Sequence, residues 1–273
     1  MSETHDTSGL SIVLDGDTTT IEGDGVIWQS AINEATVGSA DFEYGRATAE
    51  RGRTIPTTPN NQFDDAAAET AVVITAGRAR VAADGFECEV SEHDFLYVPS
   101  GTGYSPYGQG GYTLTGVTDS VEFVWGSASH YRVPLYNDPP DAFPDQRVQV
   151  VRTHRDIQPQ VSHEAGNVSR RWEAVYPETT GSSQLNAALF QRPPGSGMEV
   201  RGHAPPTISE AFTVLDGRMQ ITDHEGTEYV LERDDFLYVP PYGEHANANV
   251  GLDTLTYACI ETPARSGAVS PSP

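Results

Sequence analysis

A six-residue segment occurs twice in this chain and constrains its fold more than any other feature. Asp94–Pro99 reads Asp-Phe-Leu-Tyr-Val-Pro, and the same residues return as Asp235–Pro240, at an offset of 235 − 94 = 141. The turn residues Gly77 and Gly217 follow the same repeat with a shift of one residue. A long unit that recurs in this way predicts two copies of one structural domain.

Each copy consists of short apolar runs that are broken by turn residues. In the second copy, Ala211–Leu215 ends at Asp216–Gly217, and Phe236–Val239 ends at Pro240 and Pro241. Two prolines cannot continue a central strand, and no long stretch has the apolar period of a helix. We therefore predict an all-β chain with two tandem small β-barrels of the jelly-roll type.

A proline-rich segment separates the two copies. It runs from Tyr131 to about Arg155 and is typical of a connecting arm. We predict a first barrel in residues 1–150, a second barrel in residues 151–264 and a disordered tail over residues 265–273.

The charge of the chain excludes several classes of function. The net charge is -23, and all 16 basic residues are arginine. Such a chain lacks the cationic surface that nucleic acids and anionic membranes require, and it has no lysine for Schiff-base catalysis. Its acidic surface is typical of a halophilic protein in a salt-rich cytoplasm, where self-repulsion is screened.

The cysteines and the apolar runs support a cytoplasmic location. Cys88 and Cys259 lie far apart in apolar runs, which predicts buried, reduced thiols. No run has the roughly 18 apolar residues of a membrane span, and the first residues lack the basic region of a secretory signal. We expect a cytoplasmic homo-oligomer whose partner is a small molecule.

The second copy carries a candidate metal site. Its members are His203, Glu210 and His245, and two imidazoles with one carboxylate suit a divalent metal. The spacing resembles the two motifs of the cupin superfamily, in which the first motif supplies two histidines and a glutamate and the second supplies another histidine. Pro205 stands at the position of the second histidine and has no ligand atom. Three protein ligands are therefore predicted.

The first copy lacks these ligands. At the offset of 141 its corresponding residues are Gln62, Glu69 and Tyr104. A single carboxylate cannot hold a metal, so we predict that the first barrel is metal-free and structural.

The chain as a whole, over residues 60–262, resembles a family of bicupin sugar-acid isomerases. These are 5-dehydro-4-deoxy-D-glucuronate isomerase and 5-deoxy-glucuronate isomerase. The resemblance rests on AGRARVAADGFECEVSEHDFLYVPSG in the first half, on Ala128–Tyr131, Asn167–Arg171 and Ser183–Asn186, and on RPPGSGMEVRGH before the metal motif. It implies a zinc ion in the second barrel only, and an aldose–ketose isomerisation of a uronate-like acid.

Further residues are candidates for this chemistry. Glu199 and Glu244 are candidate bases that move a proton between neighbouring carbons. Arg170 and Arg171 could bind a substrate carboxylate in a bidentate way, or could equally balance an acidic surface. Tyr238 has a counterpart in the metal-free copy, so we expect it to pack rather than to carry protons.

Two other functions fit the same residues. Two histidines and one carboxylate also suit non-haem iron with open positions, which would make the protein a metal-dependent dioxygenase. Manganese is a further possible metal. Alternatively, the missing ligand at Pro205 indicates a non-catalytic barrel that binds a small acid with a degraded metal site.

Overall fold

The structure is a computed structural model, and it describes residues 10–14, 17–40, 42–55, 68–83, 85–100, 103–104, 111–129, 147–164, 167–198, 201–202 and 208–264. The helices in these ranges are α1 (Glu34–Val37), α2 (Thr153–Asp156) and α3 (Pro177–Thr180). Each has four residues, so none of them is long enough to cross a membrane.

Strands form nearly all of the remaining regular structure. The strands of the first half are β1 (Ser11–Val13), β2 (Thr19–Gly23), β3 (Val26–Ile32), β4 (Phe42–Glu50), β5 (Thr54–Ile55), β6 (Ala68–Ala76), β7 (Arg78–Ala83), β8 (Phe86–Ser91), β9 (Phe95–Val98), β10 (Gly103–Tyr104), β11 (Gly111–Gly116) and β12 (Ser120–Ser129). The strands of the second half are β13 (Gln149–Val151), β14 (Gln160–Glu164), β15 (Asn167–Val175), β16 (Asn186–Arg192), β17 (Arg201–Gly202), β18 (Ser209–Asp216), β19 (Met219–Asp223), β20 (Glu228–Leu231), β21 (Phe236–Val239), β22 (Glu244–Asn249) and β23 (Leu255–Thr262).

The strands form two barrels, and each barrel has a large and a small sheet. In the first barrel the order β13-β9-β6-β12-β4-β3-β2 faces β10-β11-β7-β8, with β5 paired to β11. In the second barrel the order β1-β21-β18-β23-β16-β15-β14 faces β17-β22-β19-β20. The predicted all-β bicupin fold is confirmed.

The repeated hexapeptides occupy equivalent places. The strand β9 lies between β13 and β6, and β21 lies between β1 and β18. All eight residues of these two strands are buried. The identical segments are therefore central strands of their large sheets, as the repeat predicts.

The two halves exchange one strand each. Ser11–Val13 pairs with Phe236–Tyr238 in the second barrel, and Gln149–Val151 pairs with Phe95–Tyr97 in the first barrel. The described start of the chain is thus an edge strand of the second barrel. The predicted domain limits at residues 150 and 151 fall within the strand Gln149–Val151, and they stay a prediction.

Alternation along the strands separates three apolar cores. In β18, Phe212 and Val214 point into the second barrel, whereas Ala211 and Leu215 point toward the other half. One core fills each barrel, and the third lies between the two large sheets. Apolar residues on both faces explain why these strands are continuous hydrophobic runs.

The core between the sheets contains the two tyrosines of the hexapeptides. Tyr97 and Tyr238 are both buried there, on the face that points away from the barrel interiors. A hydrogen bond of 2.8 Å joins the hydroxyls of Thr213 and Tyr44 across the same interface. This placement agrees with a packing role for both tyrosines.

Both cysteines are free thiols, but only one of them is buried. Cys259 is 2 % exposed, whereas Cys88 is partly exposed. The expectation of burial is therefore wrong for Cys88. In its strand, β8, Cys88 shares the less exposed face with Phe86 and Val90, and it lies opposite the core residue Val81, so the thiol faces the barrel interior without being fully covered.

A histidine pair lies where the halves meet. The Nδ1 atom of His93, in the turn before β9, lies 3.4 Å from Nε2 of His154 in α2. Burial is the main cause that lowers the pKa of His93, and His154 lowers it further. The carboxylates of Glu92, Asp94 and Asp216 act in the opposite direction and do not outweigh burial.

This lowered pKa predicts a loss of stability in mild acid. As the pH falls through about 6.5, the unfolded chain binds a proton at His93 before the folded chain does. His93→Asn should therefore reduce the fall in urea midpoint between about pH 7.5 and about pH 5.5. Asparagine tolerates the φ of 70° at this position. His224→Asn, at an exposed turn, is the control, and an unchanged pH profile in His93→Asn would contradict the prediction.

Candidate metal centre

Glu210 projects into the second barrel from the centre of its large sheet. It lies on β18 between β21 and β23, and it shares the inward face with Phe212. Its side chain is only 10 % exposed. The alternation of the strand therefore fixes this carboxylate in the barrel interior.

His245 reaches the same place from the opposite sheet. It lies on β22, and its Nε2 atom is 3.6 Å from Oε2 of Glu210. Its ring packs on Phe212 with centroids 5.5 Å apart. The structure thus brings together two of the three predicted ligands, which are 35 residues apart in sequence (245 − 210).

Two more potential ligands lie beside Glu210, and the sequence analysis missed both. Glu261 is directly opposite Glu210 in the pairing of β18 with β23, and Cys259 points the same way two residues earlier. The ligand atoms of Glu210, Cys259 and Glu261 all lie within 4.8 Å of one another. The only sequence signal for Glu261 was its position at the end of an apolar run. That it lies opposite Glu210 could not be predicted without the register of the two strands.

The polar atoms around His245 fit a bound cation. Asn247 follows His245 on the inward face of β22, and its Oδ1 atom is buried with no hydrogen-bond partner in the described structure. Asp223 is the cross-strand neighbour of His245; its Oδ1 accepts two backbone N–H groups, whereas Oδ2 is buried without a partner. Oxygen and imidazole donors of this kind suit a divalent metal ion.

The predicted correspondence between Glu69 and Glu210 is wrong by one residue. Thr70 pairs with Val98 in the first barrel, as Glu210 pairs with Val239 in the second, so the counterpart of Glu210 is Thr70. The second copy has one extra residue in the turn after β19, so strands before that turn are 140 residues apart rather than 141.

The predicted correspondence between Tyr104 and His245 is also wrong. His245 pairs with Asp223, and in the first barrel Tyr112 pairs with Ala83, which makes Tyr112 the counterpart. More residues separate β9 from β11 than separate β21 from β22, and the fixed offset could not account for this difference.

The first barrel has hydroxyl groups where the second barrel has carboxylates. Ser127 pairs with Thr70 as Glu261 pairs with Glu210, and the two hydroxyl oxygens lie 2.7 Å apart in the interior. Thr70, Ser127 and Tyr112 are not usual metal ligands, which is consistent with a structural first barrel. Its lack of metal stays a prediction.

Glu69, which was predicted to correspond to the ligand Glu210, has a different role. Its carboxylate is fully buried and accepts hydrogen bonds from Ser183 N, Ser183 Oγ and Gln184 N, at 2.7 to 3.0 Å. Both partners lie in the loop that precedes β16. Glu69 therefore holds a loop of the second half against the first.

The predicted arginines differ in their surroundings. Arg170 is exposed on β15. Arg171 is partly buried, 3.2 Å from a carboxylate oxygen of Glu173, and it donates to the hydroxyl of Tyr176. Its guanidinium also lies over the ring of Phe190 at 5.3 Å. Arg171 is thus engaged within the protein.

The remaining predicted site residues are placed as follows. Glu244 is exposed and precedes His245 on β22, so it points to the opposite face of the strand. This placement does not favour Glu244 as a base at the centre. His203, Glu199 and Pro205 lie outside the described residues, as does Gln62.

The comparison with protein families locates the same strands. Residues 188–261, from β16 to β23, match the family model described as Cupin domain. This segment resembles a cupin domain. It contains Glu210, His245, Cys259 and Glu261.

Solved structures share the fold across the whole chain. A protein of Pseudomonas aeruginosa described as glyoxylate-induced has a TM-score of 0.74 at 16 % identity, with 99 % of this chain and 95 % of that chain covered. Protein Ylba from E. coli has a TM-score of 0.69 at 14 % identity, covering 98 % and 97 %. A deletion mutant of Bacillus subtilis oxalate decarboxylase has a TM-score of 0.65 at 16 % identity, covering 97 % and 80 %. No curated protein sequence matches the chain.

Proposed function

We propose that the second barrel binds a divalent metal ion and that the protein is an enzyme acting on a small organic acid. The observation that carries this proposal is the contact between Glu210 and His245, 3.6 Å apart and both more than nine-tenths buried. They come from opposite sheets of a cupin domain. A buried carboxylate next to a buried imidazole is a common arrangement at metal sites.

Glu210 and His245 would hold the ion, with His203 as the predicted third ligand. Zinc is the metal that the family resemblance implies, and iron and manganese suit the same donors. A divalent ion there would act as a Lewis acid toward a carbonyl or hydroxyl oxygen of the substrate. Because Glu210 serves as a ligand, another residue must carry the proton, and Glu199 is the candidate from the sequence.

Two independent resemblances support the proposed substrate class. Oxalate decarboxylases, by their name, act on a small dicarboxylate, and the segments from Asn167 to His203 resemble uronate isomerases. Both substrates are small organic acids. The specific reaction we propose is the aldose–ketose isomerisation of a uronate-like sugar acid. Arg170 is the better candidate to bind the substrate carboxylate, because it is exposed whereas Arg171 is partly buried and engaged within the protein.

Metal content tests the centre directly. Wild-type protein should contain about one divalent ion per chain by plasma mass spectrometry, whereas His245→Ala should retain less than about a tenth of it, since even outer-shell changes cost 10-fold or more. His224→Ala, at an exposed turn of the same barrel, should bind like wild type. Equal metal content in His245→Ala would exclude His245 as a ligand.

A substrate panel then separates the functions. Uronate-like acids and oxalate would be offered to metal-loaded and chelator-treated protein, while aldose–ketose conversion, carbon dioxide release and oxygen uptake are followed. Conversion of a uronate supports the isomerase, and oxygen uptake supports a dioxygenase instead. Binding without turnover would identify a binding protein and refute the enzymatic proposal.

A further inference from the structure

Two buried carboxylates and a thiol face each other on neighbouring strands of the second barrel. Glu210 and Glu261 are directly opposite in the sheet, and their exposed fractions are 8 % and 4 %. The thiol of Cys259, which is 2 % exposed, completes a set whose ligand atoms lie within 4.8 Å of one another. Side chains that lie opposite each other on one face of adjacent strands are close enough to bind the same ion.

This arrangement suits a cation. Ionised carboxylates lose hydration when they are buried, and two like charges on opposite strands repel each other. A divalent ion between Glu210 and Glu261 would reverse the sign of this interaction. His245 adds a neutral donor from the opposite sheet, 3.6 Å from Glu210.

The first barrel shows that the fold itself does not require acids at these positions. There Thr70 and Ser127 occupy the same places, and their hydroxyls bind each other at 2.7 Å. A neutral hydrogen-bonded pair is therefore sufficient for packing a barrel of this kind. The carboxylates of the second barrel serve a different purpose.

An independent observation also points to a ligand. The Oδ1 atom of Asn247 is buried without a hydrogen-bond partner in the described structure, on the same face of β22 as His245. Buried polar atoms almost always have a partner. An ion, or a water molecule bound to it, would satisfy this oxygen.

We propose that Glu261 is a metal ligand, with Cys259 as a further donor, in a set completed by Glu210 and His245. The proposal rests on the proposed function of the second barrel. It explains how a site can persist although Pro205 stands where the cupin pattern has a histidine. This set of two carboxylates, one imidazole and one thiol, to which the predicted ligand His203 would add a second imidazole, differs from the three-histidine pattern.

The proposed ligands also predict that the effect of each substitution depends on which metal ion is bound. A thiolate favours zinc, whereas manganese prefers oxygen ligands. Cys259→Ser should therefore weaken zinc binding by at least about 10-fold but should change manganese binding much less. Glu261→Gln should weaken the binding of both ions by at least about 100-fold, since it removes a charged ligand and outer-shell changes alone cost 10- to 100-fold.

The test is a competition titration of the metal-free full-length chain with zinc or manganese against a chromogenic chelator. Wild type, Glu261→Gln, Cys259→Ser and the control Ser127→Ala are compared, with folding checked by circular dichroism. Metal-free Glu261→Gln should be at least as stable as wild type, because the repulsion is removed. If it fails to fold, Glu261→Ser, which copies the first barrel, replaces it.

The outcomes separate the two proposals. Absence of metal binding in wild type would refute the proposed function and this inference with it. Wild-type binding that is unchanged in Glu261→Gln would refute the inference and leave the function standing. Weaker binding in Glu261→Gln but not in Ser127→Ala supports Glu261 as a ligand, and equal losses of zinc and manganese in Cys259→Ser would exclude the thiol as a selective donor.

Discussion

Glu69→Ala is expected to lower the free energy of unfolding by about 3 to 5 kcal/mol, the range found when one partner of a buried ionic group is removed. The Glu69 carboxylate is fully buried and accepts from Ser183 N, Ser183 Oγ and Gln184 N. Its removal leaves two backbone N–H groups without their acceptor in the contact between the two halves. Urea denaturation followed by tryptophan fluorescence would measure the loss.

Two control variants sharpen this result. Glu69→Gln keeps the shape of the side chain and one acceptor oxygen, so it should lower the free energy of unfolding by less than Glu69→Ala does. Glu87→Ala removes a carboxylate with 62 % side-chain exposure from the same half and should change stability by less than about 0.5 kcal/mol. A value for Glu69→Ala as small as that for Glu87→Ala would show that the loop is held by other contacts.

The sequence was sufficient to predict the architecture because the repeat and the strand signals are local. The hexapeptide at Asp94–Pro99 and Asp235–Pro240 marks equivalent central strands, and the paired prolines end β21 as expected. Apolar runs broken by glycine turns gave an all-β chain. Such signals depend only on neighbouring residues, so they survive without knowledge of the tertiary structure.

The pairing register of the strands could not be predicted from the sequence. One extra residue in the turn after β19 changes the counterpart of Glu210 from Glu69 to Thr70, which lies on the other face of β6. In a strand, an error of one residue exchanges the barrel interior for the exterior. The same limit hid Glu261, because its position opposite Glu210 depends on how two strands 51 residues apart align (261 − 210).

The exchange of strands between the two halves could not be predicted from the sequence either. Ser11–Val13 joins a strand more than 220 residues away in sequence, since its partner is Phe236–Tyr238. A three-residue strand has too weak a pattern to specify its partner. Gln149–Val151 makes the reciprocal pairing at the end of a proline-rich arm, where the sequence indicated only a connection.

The double variant Glu210→Thr, Glu261→Ser is expected to abolish the stabilisation of the protein by metal. It gives the second barrel the hydroxyl pair of the first barrel, where Thr70 and Ser127 lie 2.7 Å apart and buried. A metal that binds only the folded wild type adds about 2.7 kcal/mol at 100 times its dissociation constant. This increment should vanish in the variant, because both carboxylate ligands are gone.

The metal-free stability of this variant provides a second measurement. Loss of two buried like charges stabilises the fold, whereas the smaller side chains leave a cavity, which costs about 24 cal/mol per Å³. Because the two effects oppose each other, the metal-free variant should stay folded near the wild-type value. Thr70→Ala with Ser127→Ala, the same two positions in the first barrel, should keep the full effect of metal. If zinc or manganese stabilised the Glu210→Thr, Glu261→Ser protein as much as the wild type, the ion would bind elsewhere, and the facing glutamates would owe their place in the barrel to something other than a metal.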